Sequence, residues 1–162
     1  MGKNLCTEST HDLFKMAELD IIQLNDVINS KKYFCEENKF SPICNLANQA
    51  VEKFLKGYIK QNNKTIEKTH DLDHIQKCAE EIDASFSEVR EQCLQVYDFH
   101  PGMRYNSSTP IEKQDIINII NALKIIYKFP KIKEIREDFI KDPGYTTSSH
   151  IIINSFPGDT DA

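Results

Sequence analysis

Several short stretches of this sequence hold side chains able to handle anions, protons or metals. In His70-Asp71-Leu72-Asp73-His74 two histidines stand four residues apart, the spacing at which a helix sets two zinc ligands on one face. A zinc site needs a third ligand, and no other His or Cys cluster offers one. The alternative is architectural: Thr69 or Asp71 caps a helix opening at Leu72, and His70 packs or bonds across the loop. The expectation is therefore no metal and no cofactor.

Arg104-Tyr105, with His100 upstream and Ser107-Ser108-Thr109 downstream, carries different chemistry. An arginine binds phosphate in a fork, and hydroxyls and the free amides of a helix opening at Ile111 would add donors. The Tyr105 ring offers a face for a base, a contact worth roughly 1–3 kcal/mol where it forms. Against this, Glu112 at the same helix end would repel an anion. The competing reading pairs Arg104 with Asp98 to order the loop and leaves His100, before Pro101, as a turn residue. Lys53, Lys56 and Lys60 form a basic ridge, ordinarily a solvated face; turned toward Arg104, Lys53 or Lys56 would line one anion pocket with it. The candidate ligand-binding residues are Arg104, Tyr105, His70, Lys53 and Ser107, with no catalytic residue assigned.

Helices must position these groups. Leu13, Phe14, Ala17, Ile21, Leu24, Ile28 and Phe34 recur at helical spacing from about Thr10 to Glu37, with Ser9 or Thr10 as cap and a bend near Asn29-Ser30. Ile43, Ala47, Ala50, Val51, Phe54 and Tyr58 give a second helix over 42–61, with Ser41 as cap and Pro42 at its first position. Glu52 and Lys56 form a surface pair on it, and Asn62-Asn63 closes it. So short a connection sets the two helices antiparallel. Leu72–Ile82 and Phe86–Tyr97 continue the pattern. Thr109-Pro110-Ile111-Glu112 reads as a capping box for a central helix carrying Ile116, Ile119, Ile120, Leu123, Ile126 and Tyr127. Pro130 ends that helix, and Lys131–Lys141 forms a short amphipathic one. The chain thus divides into a flexible lead-in 1–9, a helical bundle 10–141 and a mostly irregular tail 142–162, with Ile151–Ile153 a possible extended segment.

Ala50-Val51-Glu52-Lys53-Phe54-Leu55-Lys56, followed by Thr69-His70-Asp71-Leu72 and then by Tyr97 and Arg104-Tyr105 ahead of the last core helix, resembles the HEPN domain family over roughly residues 10–128. The resemblance implies an all-α, up-and-down bundle of four main helices plus shorter ones. It also implies a module that binds a nucleotide or RNA phosphate beside a minimal nucleotidyltransferase partner. The family's Thr-His-Asp-Leu recurs without a required metal. Many members are metal-independent ribonucleases, marked by an Arg followed, after four to six intervening residues, by a His that acts as general acid or base. Here the windows after Arg90, Arg104 and Arg136 are Gln95–Tyr97, Thr109–Ile111 and Lys141–Pro143, and none holds a His. The resemblance is therefore to the non-nuclease type. One rival is a metal-independent RNase of a toxin–antitoxin system, with a non-standard site joining His70 or His100 to Arg104. Another is a purely structural, dimer-forming subunit.

Bulk properties agree with a bundle. The chain has 162 residues, 40% hydrophobic and 28% charged, enough for one domain with its own core. A net charge of −5 argues against a broad basic surface for duplex DNA and leaves room for a local anion pocket. The five cysteines are odd in number and lack a Cys-x-x-Cys pair; with no leader pattern, they read as free thiols in a reducing cytoplasm. Met1-Gly2 opens like a myristoylation site, but Cys6 stands where Ser or Thr is expected. Ile116–Ile126, broken by Asn118, Asn121 and Lys124, is too short and polar to span a membrane. Phe14, Phe34 and Phe139 suggest apolar surface to spare, hence a homodimer.

Overall fold

The computed structural model describes residues 4–30, 40–100, 111–142 and 145. Among these, helices run α1 (Thr10–Asn29), α2 (Phe40–Gln61), α3 (Leu72–Ile82), α4 (Arg90–Tyr97), α5 (Lys113–Lys128) and α6 (Pro130–Phe139), with a 3₁₀ segment at Ala84–Val89 before α4. The expected all-α bundle is what folds, with α1, α2, α3 and α5 as its long members.

Ser9 takes the cap of α1, its hydroxyl accepting the Asp12 amide at 3.0 Å. Thr10, the other candidate, instead donates its hydroxyl to the Gly57 carbonyl at 3.2 Å. That bond joins the start of α1 to the end of α2, so the pair lies antiparallel. The helices meet closely because Gly57 has no side chain: a Cβ there would sit 2.5 Å from the Phe14 ring. α1 stops at Asn29, where the Ser30 hydroxyl returns to the Val27 carbonyl at 2.7 Å. The expected continuation to Glu37, with Cys35 and Phe34, lies outside the described residues.

α2 opens at Phe40 rather than after a Ser41 cap, which puts Pro42 in its third position. First-turn amides have no partner within the helix, so the missing N–H costs nothing there. At the far end Asn63 adopts φ 59°. The Asn63 amide returns to Lys60 at 3.0 Å and the Lys64 amide to Ile59 at 3.2 Å, the paired bonds of a left-handed helix stop. Ahead of α1, residues 4–8 lie against the next loop. The Cys6 amide donates to Ile66 and the Lys68 amide to Asn4, both at 2.8 Å, with Leu5 opposite Glu67. Lys60 clamps this segment through the Cys6 carbonyl at 3.2 Å and the Glu8 carbonyl.

Asp71, not Thr69, caps α3, accepting the His74 amide at 3.2 Å. α5 begins later than expected. Its cap is Glu112, and the box partner reaching back is Asp115, whose carboxylate takes the Glu112 amide at 2.8 Å. Thr109 and Pro110, expected to open it, lie outside the described residues. Pro130, read only as a terminator, is also the first residue of α6.

The core forms where α1, α2 and α5 face one another. Phe14 meets Phe54 edge-on at 5.2 Å, Phe54 meets Tyr127 at 5.8 Å, and Tyr58 and Phe129 close on Phe86 at 4.4 and 4.9 Å. The apolar residues expected on α5 are all buried, which confirms its central place. Phe14, expected to be spare apolar surface, is wholly buried, and Phe139 packs half-buried against the core. Among the described residues the exposed large apolar side chains are instead Leu5, Met16, Leu19, Ile125 and Ile140.

Candidate functional site

Asn48, Glu52 and Lys56 recur every fourth residue on α2, so they share one edge of the helix. Asn48 and Lys56 are buried and the Glu52 side chain is only 12% exposed. Polar groups this deep must be partnered. The Asn48 amide nitrogen donates to the Cys44 and Val96 carbonyls at 2.9 Å each, tying the end of α4 to α2. Lys56 Nζ donates to Glu52 Oε2 at 3.1 Å, and Glu52 Oε1 lies 2.7 Å from His70 Nδ1. The carboxylate can only accept, so Nδ1 carries the proton and Nε2 faces away from it. His70 itself is 77% exposed: a surface imidazole is held by a buried acid, which in turn is held by a buried ammonium.

Beside His70 stands His100, in the turn that follows α4. The two rings lie 6.4 Å apart between centroids and 24° from parallel. Tyr97 backs His100 at 5.5 Å. Burial pushes the Tyr97 phenol above its ordinary pKa, and the carboxylate of Asp71 adds to the rise. Three elements therefore meet here: the polar edge of α2, the loop into α3, and the end of α4. Arg104, Tyr105 and Ser107 follow within seven residues of His100 in the chain and lie outside the described residues.

The lysine ridge is not a solvated face, because each ammonium has a separate acceptor. Lys53 crosses to Asp20 on α1 at 2.6 Å, with both side chains largely buried. Desolvation raises the pKa of Asp20 while Lys53 pulls it back. Lys56 serves Glu52, and Lys60 serves the N-terminal segment. Glu52 and Lys56, expected as a surface pair, form their bond with both side chains largely buried, and His70 meets Glu52 from the loop before α3. The amides at the start of α5, expected to add anion donors, face two carboxylates, Glu112 and Asp115. His70 and His74 do not stand one helical turn apart on one face. His70 precedes the α3 cap, so helical spacing does not apply, and His74 turns to Glu67 at 2.9 Å and to Cys78 at 3.7 Å. Among the described residues no group of three ligating side chains could hold a metal ion.

A second buried polar centre lies at the α1–α5–α6 junction. Glu18, wholly buried, accepts Tyr127 at 2.9 Å, Arg136 Nε at 2.9 Å and Tyr145 at 3.2 Å. Arg136 also donates to the Tyr127 carbonyl at 2.8 Å and covers the Tyr127 ring. This satisfied network fastens helices together. The sequence reading missed Asn48 and gave Glu52 only a surface role, although polar residues every fourth position on an apolar helix were the available signal. Glu18 and Arg136, 118 residues apart, left no local signal.

No helix among the described residues is long and apolar enough to cross a membrane. Compared with known protein families, residues 11–135 match the family model of the HEPN domain. Neither a curated protein nor a solved structure matches the chain.

Proposed function

The chain belongs to the HEPN domain family, and on that premise we propose that it is a binding module for a nucleotide or an RNA phosphate, acting as a homodimer beside a minimal nucleotidyltransferase partner. The observation that carries the reading is the line Lys56–Glu52–His70 ending at His100. A side chain as exposed as His70 normally samples many rotamers. The bond to Glu52 removes that freedom before any ligand arrives, and preorganised donors bind at lower entropic cost. His100 leads directly into the segment bearing Arg104, Tyr105 and Ser107, so imidazole, guanidinium and hydroxyl donors follow one another along the chain. The partner is an expectation from the family.

Calorimetric titration with nucleoside triphosphates and a short single-stranded RNA tests this on wild type, Arg104→Ala and His70→Ala. Wild type should bind, and each variant should bind about tenfold more weakly. Equal binding by all three proteins, or by none, removes the proposal. The paired imidazoles also favour a second reading, a metal-independent RNase of a toxin–antitoxin system with a non-standard site, since acid–base cleavage uses two such groups. RNA incubated with the protein in chelator separates the two: the binding module leaves it intact, whereas cleavage abolished by His70→Ala or His100→Ala establishes the enzyme.

A further inference from the structure

Independently of the nucleotide reading, we propose that His70 is a phosphoryl-acceptor site, taking a phosphoryl group on Nε2 from a donor of the phosphoramidate class. The two nitrogens of an imidazole cease to be alike once one of them is held. Nδ1 of His70 donates its proton to Glu52 at 2.7 Å, so in the neutral ring the nucleophilic lone pair is on Nε2. No hydrogen bond or ion pair from a described residue engages Nε2. The side chain is 77% exposed, and a donor therefore reaches that nitrogen without unfolding anything. Two other histidines use theirs: His74 turns Nε2 to Glu67 at 2.9 Å, and His11 sets Nε2 2.6 Å from Asp142.

The support behind the ring is dry and fixed. The Glu52 side chain is 12% exposed and that of Lys56 6%. Lys56 holds Oε2 at 3.1 Å, which keeps Oε1 on Nδ1. In the transfer, the Nε2 lone pair forms the new N–P bond as the donor's own N–P bond breaks. The electron pair of the broken bond leaves on the donor nitrogen, which takes up a proton from water. One N–P bond replaces another, so the step needs no further co-reactant. The ring becomes an imidazolium with Nδ1–H still in place, and the Glu52 carboxylate faces the positive charge that develops. His70 is thus the covalent nucleophile, and Glu52 is a positioning residue that acts only through it.

The test uses potassium phosphoramidate as the probe, on wild type and Glu52→Gln, with circular dichroism checking the fold of each. Reactions are stopped in alkali, which preserves phosphohistidine. Peptide mass spectrometry then reads the rate at each histidine, and phosphorus NMR distinguishes the Nε2 adduct from the Nδ1 adduct. Wild type should be phosphorylated at His70 about tenfold faster than at His11 or His74, and on Nε2. Glu52→Gln should slow His70 by roughly tenfold and leave His11 and His74 unchanged, whereas a loop merely released by the substitution would label no more slowly. Labelling of His70 no faster than of His11 and His74, an Nδ1 adduct in wild type, or an unslowed Glu52→Gln overturns the proposal, the Glu52 bond then serving only to fasten the loop. The first two readouts need no variant, so they decide the matter even if Glu52→Gln fails to fold.

Discussion

Replacing Glu18 by leucine keeps most of the side-chain volume and removes the acceptor at the centre of the α1–α5–α6 junction. The Arg136 guanidinium, only 10% exposed, would lose its counter-charge, and the hydroxyls of Tyr127 and Tyr145 would lose their shared acceptor. Leaving one member of a buried ion pair unpaired costs about 3–5 kcal/mol, which for a domain of this size lowers Tm by roughly 6–20 °C. Arg136→Met should cost less, because Glu18 keeps two phenolic donors. The informative protein is the double variant Glu18→Leu/Arg136→Met. If the penalty of the first change is the stranded charge, the second relieves it, and the double variant should be no less stable than Glu18→Leu alone. Urea unfolding followed by far-ultraviolet circular dichroism is the suitable assay, since the chain has no tryptophan. Additive losses in the double variant, or a loss under about 1 kcal/mol in Glu18→Leu, would refute the reasoning.

Gly57→Ala should destabilise the protein by about 1–3 kcal/mol despite alanine's better helix propensity, because the new methyl lands 2.5 Å from the buried Phe14 ring; a raised urea midpoint would contradict the close approach of α1 and α2. Asp20 should titrate above 3.8 by NMR, since burial raises its pKa, and Lys53→Met should move it higher still by removing the group that lowers it. An acid whose folded pKa is raised stabilises the fold below its unfolded pKa and loses that contribution as the pH climbs through the folded one, so Asp20 works against stability above about pH 4; a midpoint at or below 3.8 sinks this. Burial pushes the thiols of Cys44 and Cys93 up to about 12, and neither should react with a disulfide reagent at pH 8 until the protein is unfolded.

Helix order and faces were readable from the residues because amphipathic spacing is a local property. The stripe Leu13, Phe14, Ala17, Ile21 and Leu24 on α1, and that from Ile116 to Tyr127 on α5, point inward as their spacing requires. The family, too, was legible, since its motif residues lie in short runs along α2 and the loop into α3. Helix ends were less so. The capping rules point to Thr109–Glu112, since Glu is not a preferred N-cap, yet α5 takes Glu112 as its cap with Asp115 reaching back.

What the sequence determined by itself was therefore the class of fold, its core faces and the absence of the Arg-to-His ribonuclease spacing, all of them statements about neighbours along the chain. Tertiary structure alone decided which polar groups are dry. Lys53 and Lys56 have the composition of a solvated ridge, yet α1 brings Asp20 to the first, and the second is buried on a Glu52 whose other oxygen meets His70. Glu18 meets Arg136 across 118 residues, and His70 meets His100 where Asn48 ties the end of α4 to α2. The physical reason is one of range. Periodicity and capping act within a turn or two of chain, whereas the cost of burying a charge depends on whatever distant element arrives to cover it.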